Sequence, residues 1–191
     1  MFGQRYKPVV CRKNNCFESV RGRKMFIHSA YDFGFQVLTG GEKVTFFLSD
    51  LAGKVIIIVN TASQCALSNQ YKDMVEVHDL YHNRGLVMVN VPSNSFFRQE
   101  PRSDEEISIS CVKESSDSFI TVVREVVVGD HAHPFYRWAG DVLGFAASPW
   151  WNFHKYIINR RGGLVDYFCP LTHLNSARVI EVIERLLVEE S

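Results

Sequence analysis

Cysteine is the residue type in this sequence with the widest range of chemistry. It occurs five times at irregular spacing: Cys11, Cys16, Cys65, Cys111 and Cys169. The odd number and the lack of a C-x-x-C pair do not favour a disulfide framework, and no cluster of cysteines and histidines has the spacing of a zinc site. This usage is typical of a reducing compartment. We therefore expect a cytoplasmic protein with no metal site, in which cysteine chemistry is catalytic.

Cys65 has the position best suited to such chemistry. It follows the β-branched run KVIIIVN (54–60), which is typical of a central strand buried on both faces, and it precedes a predicted helix over residues 69–82. Ligands of open α/β sheets bind at the carboxyl ends of the strands. The positive end of the helix dipole and unpaired backbone N–H groups favour a thiolate there. By position alone, Cys65 is either a nucleophile that attacks a peroxide O–O bond or an inert buried cysteine.

The elements that must position Cys65 alternate between strand and helix. The predicted strands are 35–38, 44–48, 54–60, 86–91, 119–128, 156–158 and 164–168; the predicted helices are 69–82, one that starts at the capping box Ser103–Glu106, 133–142 and 176–188. A strand, helix and strand within about 40 residues form a βαβ unit, so the sheet is at least partly parallel. The order predicts an α/β protein with a thioredoxin-like fold, a central mixed β-sheet flanked by helices.

Composition limits the class of protein. With 191 residues and 46% hydrophobic content, one domain with a full core is expected. Because 21 basic residues balance 21 acidic ones, a nucleic-acid partner is not expected, and no apolar run is long enough to cross a membrane. Residues 1–24 are the exception, with seven basic residues and one acid. We predict a disordered basic extension over 1–27 and a domain over 28–191, with an organelle transit peptide as the alternative for the extension.

Five stretches carry a family resemblance: VNTASQCALSNQY (59–71), VPSNSFFRQEP (91–101), DEEI (104–107), AHPFYRW (132–138) and WNFHKYII (151–158). In this order and spacing they resemble the glutathione peroxidase family, in its cysteine-containing, thioredoxin-dependent type. The resemblance implies a thiol peroxidase that reduces hydrogen peroxide and organic or lipid hydroperoxides in antioxidant defence. It also implies no bound cofactor, and thioredoxin or glutathione as the reducing co-substrate.

The resemblance further implies a catalytic tetrad. Cys65 is its nucleophile, and the Trp151 indole and the Asn152 amide are its hydrogen-bond donors. The fourth member is a glutamine in the family, where this chain has Ser95, a weaker and shorter donor. Phe97 and Arg98 stand where the family has two glycines. These differences put the fourth donor in doubt and leave the nucleophile unaffected.

Cys111 resembles the resolving cysteine of the thioredoxin-dependent members. In those members, peroxide oxidises the first cysteine to a sulfenic acid. The second thiol condenses with this sulfenic acid to form a disulfide, which thioredoxin then reduces. Four serines weaken the predicted helix around Cys111, which favours the local unfolding this step requires: Ser108, Ser110, Ser115 and Ser116. A buried structural cysteine is the alternative.

Partners and rival functions follow from the same comparison. The chain runs directly from 128–130 into 131–134, without the insertion that tetrameric members use, so a monomer is expected. Two other functions stay open: a thiol redox sensor or relay, in which an oxidised Cys65–Cys111 pair oxidises a partner protein, and a degenerate, non-catalytic thioredoxin-fold binding protein.

Overall fold

The computed structural model of the protein describes residues 29–115 and 119–189, without the side chains of residues 110–115. The basic extension expected over residues 1–27 lies outside the described residues. The first strands, β1 (Gly34–Thr39) and β2 (Glu42–Phe47), form an antiparallel hairpin as predicted. The turn between them contains Gly40 and Gly41, both with left-handed φ.

The remaining strands form one mixed sheet. They are β3 (Val55–Thr61), β4 (Leu86–Pro92), β5 (Phe119–Thr121), β6 (Lys155–Ile158) and β7 (Leu164–Phe168). Their order across the sheet is β5-β4-β3-β6-β7. β4 is parallel to β3 and β5, whereas β6 is antiparallel to β3 and β7. The predicted parallel unit and the predicted C-terminal hairpin therefore share the central strand β3.

β3 is buried along its whole length, as its apolar run predicts. Its side chains alternate between two hydrophobic clusters: Ile56 and Ile58 belong to one, and Val55, Ile57 and Val59 to the other. Because successive residues of a strand point to opposite faces, each cluster covers one face of the sheet.

In the part of the chain that the structure describes, four α-helices flank this sheet: α1 (Gln70–Tyr81), α2 (Asp104–Ser115), α3 (Pro134–Leu143) and α4 (Ala177–Val188). On one face, α3 contributes Phe135 and Ala139 to the cluster that contains Ile56. On the other face, α1 contributes Met74 and α4 contributes Ile183 to the cluster that contains Ile57 and Cys65. Cys65 thus lies on the face that α1 and α4 cover.

The helix ends agree with the capping signals in the sequence. At the start of α2, the Ser103 N–H donates to Glu106 Oε2 at 2.7 Å and the Glu106 N–H donates to Ser103 Oγ at 3.2 Å. This is the predicted capping box. The turn that follows α1 ends at Gly85, whose φ of 100° requires a residue without a Cβ.

The strand predicted over residues 119–128 is wrong beyond Thr121, where β5 ends. After that point the backbone changes partners: the Val122 N–H donates to Asn90, the Val123 N–H to Gln36 on β1, and the Glu125 N–H to Pro92. The chain therefore leaves the sheet to connect β4 with the hairpin. Val122, Val123 and Val127 are buried although they belong to no strand. Their burial explains why the sequence keeps an apolar, strand-like pattern after Thr121.

Among the described residues, no helix has both the length and the apolar character needed to cross a membrane.

Candidate active site

The Cys65 thiol lies in the loop between β3 and α1 and is 3% exposed. The backbone N–H of Leu67 donates to Cys65 Sγ at 3.4 Å, and the Ser68 N–H donates to the Cys65 carbonyl at 2.9 Å. The helix predicted over residues 69–82 begins at Gln70, five residues after Cys65, so Cys65 lies outside its first turn. Because the helix dipole acts over little more than one turn, the local donor to this sulfur is the N–H of Leu67 rather than the helix end.

Asn60, the buried sixth residue of β3, holds the segment that carries the two predicted donors. Its Nδ2 donates to the Trp151 carbonyl at 3.1 Å, and its Oδ1 accepts the His154 N–H at 3.1 Å. The Asn60 carbonyl also accepts the N–H of Phe153. One side chain at the end of the central strand therefore fixes residues 151–154 beside the loop that bears Cys65.

Trp151 is half-buried and packs against the cluster that contains Cys65. Its ring centroid lies 5.7 Å from that of Phe96 and 5.6 Å from that of Phe97. Phe97 itself is 82% exposed. Within the described residues the indole N–H of Trp151 donates no hydrogen bond, and an indole N–H is a donor only.

Asn152 is fully buried, and its Nδ2 donates to Gln99 Oε1 at 2.9 Å. Its Oδ1 has no partner within the described ranges. Gln99 follows β4, and its backbone carbonyl accepts the Gln64 N–H at 2.9 Å, one residue before Cys65. The loop after β4 thus connects the Asn152 amide to the Cys65 loop.

Ser95 occupies the position of the missing glutamine and is partly buried. Its Oγ accepts one hydrogen bond from Ser93 Oγ at 3.0 Å and another from the Val127 N–H at 3.0 Å. These bonds tie the start of the β4 loop to the segment after β5. The hydroxyl proton of Ser95 keeps the capacity to donate, so the weak donor role stays a prediction.

The non-glycine residues with left-handed φ in the described ranges all lie in the two loops beside Cys65: Phe97 at 52°, Arg98 at 51° and Phe153 at 66°. Each costs about 1–2 kcal/mol relative to an ordinary conformation. Phe97 and Arg98 therefore keep a backbone conformation that two glycines would adopt without strain. Such strain clusters at functional sites, where the surrounding contacts hold it.

Glu100, in the loop after β4, binds the loop that carries Cys65. Its buried carboxylate accepts the Ser63 N–H at 2.9 Å, Ser63 Oγ at 3.0 Å and Arg102 Nε at 2.9 Å. Burial raises the pKa of Glu100, but the bonds from Arg102 and Ser63 outweigh it and hold the pKa below its usual value. Glu100 is therefore a charged anchor of the Cys65 loop.

Lys155 on β6 is fully buried, an unusual place for an ammonium group. Its Nζ donates to Gln70 Oε1 at the start of α1 and to the carbonyls of Pro170 at 3.2 Å and Thr172 at 2.6 Å. Burial lowers the pKa of Lys155 to about 8. Lys155 joins the start of α1 to the loop after β7.

That loop carries a second described thiol, Cys169, which is partly exposed. Its Sγ lies 3.3 Å from Thr172 Oγ1. The hydrogen bond from the Thr172 hydroxyl, with backbone N–H bonds from Leu171 and Thr172, holds the pKa of Cys169 below its usual value. The apolar strand before Cys169 predicts a core cysteine, but the structure places Cys169 at a partly exposed position with polar contacts.

One group of potential metal ligands lies elsewhere on α1. Atoms of His78, Asp79 and His82 lie within 4.8 Å of one another. Asp79 and His82 are exposed, and His82 Nδ1 is bonded to the His78 carbonyl at 3.0 Å. They lie at the end of α1 remote from Cys65, about 15 Å along the helix axis, and so belong to no part of this site.

Cys111 is a residue of α2, and this helix packs against β1 and β5. Its side chain is outside the described ones, so its resolving role stays a prediction.

Three residues that position the site were not among the predicted ones: Asn60, Gln99 and Glu100. A polar residue that follows the apolar run of β3 is the sequence signal for Asn60. Gln99 and Glu100 lie within the stretch 91–101 that carries part of the family resemblance, but their contacts depend on loops that are distant in sequence.

The fold is that of known thiol–disulfide proteins. A thiol:disulfide interchange protein of the thioredoxin family from Chlorobium tepidum superposes with a TM-score of 0.57 at 16% identity, over 86% of this chain and 99% of that one. The crystal structure of apo Trgpx superposes with a TM-score of 0.66 at 25% identity, over 85% of this chain and 98% of that one. The predicted thioredoxin-like fold is confirmed.

Sequence comparison identifies the family. The family model described as glutathione peroxidase matches residues 30–139. The chain is 34% identical over 161 residues to the glutathione peroxidase homolog BsaA of Halalkalibacterium halodurans, covering 83% of this chain and 99% of that protein. It is 37% identical over 147 residues to the "Probable phospholipid hydroperoxide glutathione peroxidase" of Nicotiana tabacum, covering 75% of this chain and 85% of that protein. The chain therefore belongs to the glutathione peroxidase family.

Proposed function

We propose that this protein is a thiol peroxidase in which Cys65 reduces hydroperoxides. Two features of the site together carry the proposal. The N–H of Leu67 donates to Cys65 Sγ, and Asn60 holds the segment of Trp151 and Asn152 beside the loop of Cys65. Membership of the glutathione peroxidase family supports the same activity.

The first step transfers one oxygen atom. The Cys65 thiolate attacks the terminal, hydrogen-bearing oxygen of R–O–O–H, an S–O bond forms, and the O–O bond breaks. The leaving oxygen takes up a proton and departs as water or an alcohol, and the sulfur is oxidised by two electrons to a sulfenic acid. The indole N–H of Trp151 and the amide of Asn152 are the donors that stabilise the developing charge.

The second half of the cycle requires a thiol reductant. We propose that the Cys111 thiol condenses with the sulfenic acid of Cys65, releasing water and forming a disulfide, and that thioredoxin then reduces this disulfide. The serines of α2 support the local opening of the helix that brings the two sulfurs together. Glutathione is the alternative donor.

The surface near the site favours an apolar substrate. Phe96 and Phe97 lie against the Trp151 ring, and Phe97 is largely exposed. An aromatic surface of this kind binds hydrocarbon chains by removing apolar area from water. Organic and lipid hydroperoxides are therefore the proposed substrates beside hydrogen peroxide. The phospholipid hydroperoxide named for the Nicotiana tabacum relative is of this class.

The experiment that tests the function is stopped-flow peroxide consumption by the full chain, first with a thioredoxin system and then with glutathione. We expect turnover with thioredoxin, and no turnover with either donor would contradict the peroxidase function. If peroxide oxidises Cys65 but neither donor reduces it, the peroxidase function is wrong. The result would then favour the redox relay, in which the oxidised protein oxidises a partner protein.

The resolving step is tested separately with Cys111→Ser. We expect this variant to form a sulfenic acid at Cys65 with peroxide and to lose turnover with thioredoxin, because no second thiol is present to form the disulfide. Mass spectrometry of the oxidised protein identifies the paired thiols. Full thioredoxin-dependent turnover in Cys111→Ser would disprove the resolving role.

A further inference from the structure

We propose that Gln99 is a positioning residue that acts through Asn152, in the same loop where Ser95 stands at the position of the family's carboxamide donor. This inference rests on the proposed peroxidase function and adds a residue to its site. The observation behind it is the 2.9 Å hydrogen bond from Asn152 Nδ2 to Gln99 Oε1.

The geometry of Asn152 shows what this bond achieves. Asn152 is fully buried, and a primary amide carries two N–H donors on one nitrogen. When Gln99 Oε1 accepts one of them, the plane of the amide is fixed and the second N–H has a defined direction. The other end of the amide, Oδ1, has no partner in the described part of the chain. One N–H and one acceptor oxygen of Asn152 are thus left for a ligand.

A hydroperoxide matches these two groups. Its O–H is a donor that the free Oδ1 of Asn152 accepts, and its departing oxygen gains negative charge that an N–H stabilises. A buried acceptor without a partner is unfavourable, so occupation by the substrate also relieves a cost of the free protein. We therefore assign the second N–H of Asn152 to the leaving oxygen.

Two hydrogen bonds fix Gln99 in a position from which it orients the Asn152 amide. Its backbone carbonyl accepts the N–H of Gln64, next to Cys65, while its side chain binds Asn152. The left-handed φ values of Phe97 and Arg98 turn the chain immediately before Gln99. Gln99 thus connects the loop of the nucleophile to the segment of the donors.

Ser95 does not meet the same requirement. Its Oγ already accepts two hydrogen bonds, from Ser93 and from the N–H of Val127. A serine also has no amide group with which to fix another amide. The strained turn places a carboxamide four residues further along the same loop, where it reaches Asn152.

The test is a double-mutant cycle with Gln99→Met and Asn152→Ala. Methionine is close to glutamine in size and lacks the amide oxygen. We expect Gln99→Met to slow the oxidation of Cys65 by hydrogen peroxide about tenfold, the effect of one lost hydrogen bond in the transition state. In the Asn152→Ala background, Gln99→Met should change the rate less than about twofold, because its effect passes through Asn152. Gln36→Met, the same substitution at an exposed residue of β1, is the control.

A second measurement distinguishes an effect of Gln99 on the orientation of Asn152 from a general disruption of the loop after β4. Alkylation of Cys65 by iodoacetamide needs an accessible thiolate but has no departing oxygen to stabilise. It should therefore be unchanged within about twofold in Gln99→Met. If Gln99→Met slows both reactions equally, its role is structural and the inference is wrong. If Asn152→Ala fails to fold, Asn152→Ser completes the cycle.

The remaining outcomes are also decisive. An unchanged peroxide rate in Gln99→Met, or independent and multiplicative losses in the double variant, would overturn the inference while the wild-type peroxidase function stands. A wild-type protein whose Cys65 reacts with iodoacetamide but not with peroxide would instead refute the peroxidase function itself, and this inference with it.

Discussion

The two described thiols, Cys65 and Cys169, lie in different loops and have different surroundings. Cys65 is buried, receives one backbone N–H, and lies beside the segment that bears Trp151 and Asn152. Cys169 is more exposed, and hydrogen bonds from the Thr172 hydroxyl and two backbone N–H groups hold its pKa below its usual value. A lowered thiol pKa by itself would make Cys169 a candidate nucleophile. We therefore propose that donors for the departing peroxide oxygen decide which thiol reacts with peroxide.

The largest expected effect separates the two thiols. Cys65→Ser should lower peroxide turnover more than about a thousandfold, because the hydroxyl of serine is a far weaker nucleophile toward the O–O bond. Cys169→Ser should retain turnover within about twofold. Turnover is measured by stopped flow with the thioredoxin system. A Cys169→Ser variant as inactive as Cys65→Ser would reverse the comparison.

The next effect concerns the donors that Cys169 lacks. Asn152→Ala should slow the reaction of Cys65 with peroxide about a hundredfold, since one preorganised donor to developing charge has an effect of this order. Trp150→Phe is the control, because Trp150 is an exposed neighbour of Trp151 in sequence. The second-order rate constant for hydrogen peroxide is the measurement. A loss below about threefold in Asn152→Ala would leave the donor role unsupported.

A smaller effect concerns the anchor that fixes the Cys65 loop but not the Cys169 loop. The pKa of Glu100 is below its usual value of 4.5, so the stability it contributes is present above pH 4.5 and is lost as the pH falls below it. Glu100→Gln should lower the free energy of unfolding by about 1–3 kcal/mol at pH 7, and this difference should shrink below pH 4.5. Denaturant titrations at pH 7 and pH 3.5 measure it. Glu181→Gln, at an exposed position of α4, is the matched control, and an equal loss there would exclude a specific anchor.

The smallest effect is expected at Cys169. Thr172→Val removes the hydroxyl that contributes most to lowering the pKa of Cys169, and it preserves the shape of the side chain. The pKa should rise, and alkylation of Cys169 by iodoacetamide at pH 7 should slow about two- to threefold. Peptide mass spectrometry quantifies the labelled fraction. Thr45→Val on β2 is the control, and an unchanged rate in Thr172→Val would assign the stabilisation to the backbone donors.

Much of the fold was predictable because its signals are local. The run of β-branched residues in β3, the helical spacing in α1 and the capping box of α2 depend on neighbours a few residues apart. The strand predicted beyond Thr121 is the instructive failure. Its apolar residues are buried as expected, but the backbone N–H groups after Thr121 bind partners on both β1 and the end of β4, which no local pattern encodes.

The sequence by itself determined the order of the elements, the place of Cys65 after the central strand, and the resemblance that identifies Trp151 and Asn152. Only the tertiary structure decided which side chains hold them. Asn60 and Trp151 are 91 residues apart in sequence, and Gln99 and Asn152 are 53 apart. Periodicity and capping act within a few residues, whereas these hydrogen bonds form only where segments distant in sequence meet in the folded chain. For that reason the glutamine absent at position 95 is visible in the sequence, and the glutamine that contacts Asn152 is visible only in the fold.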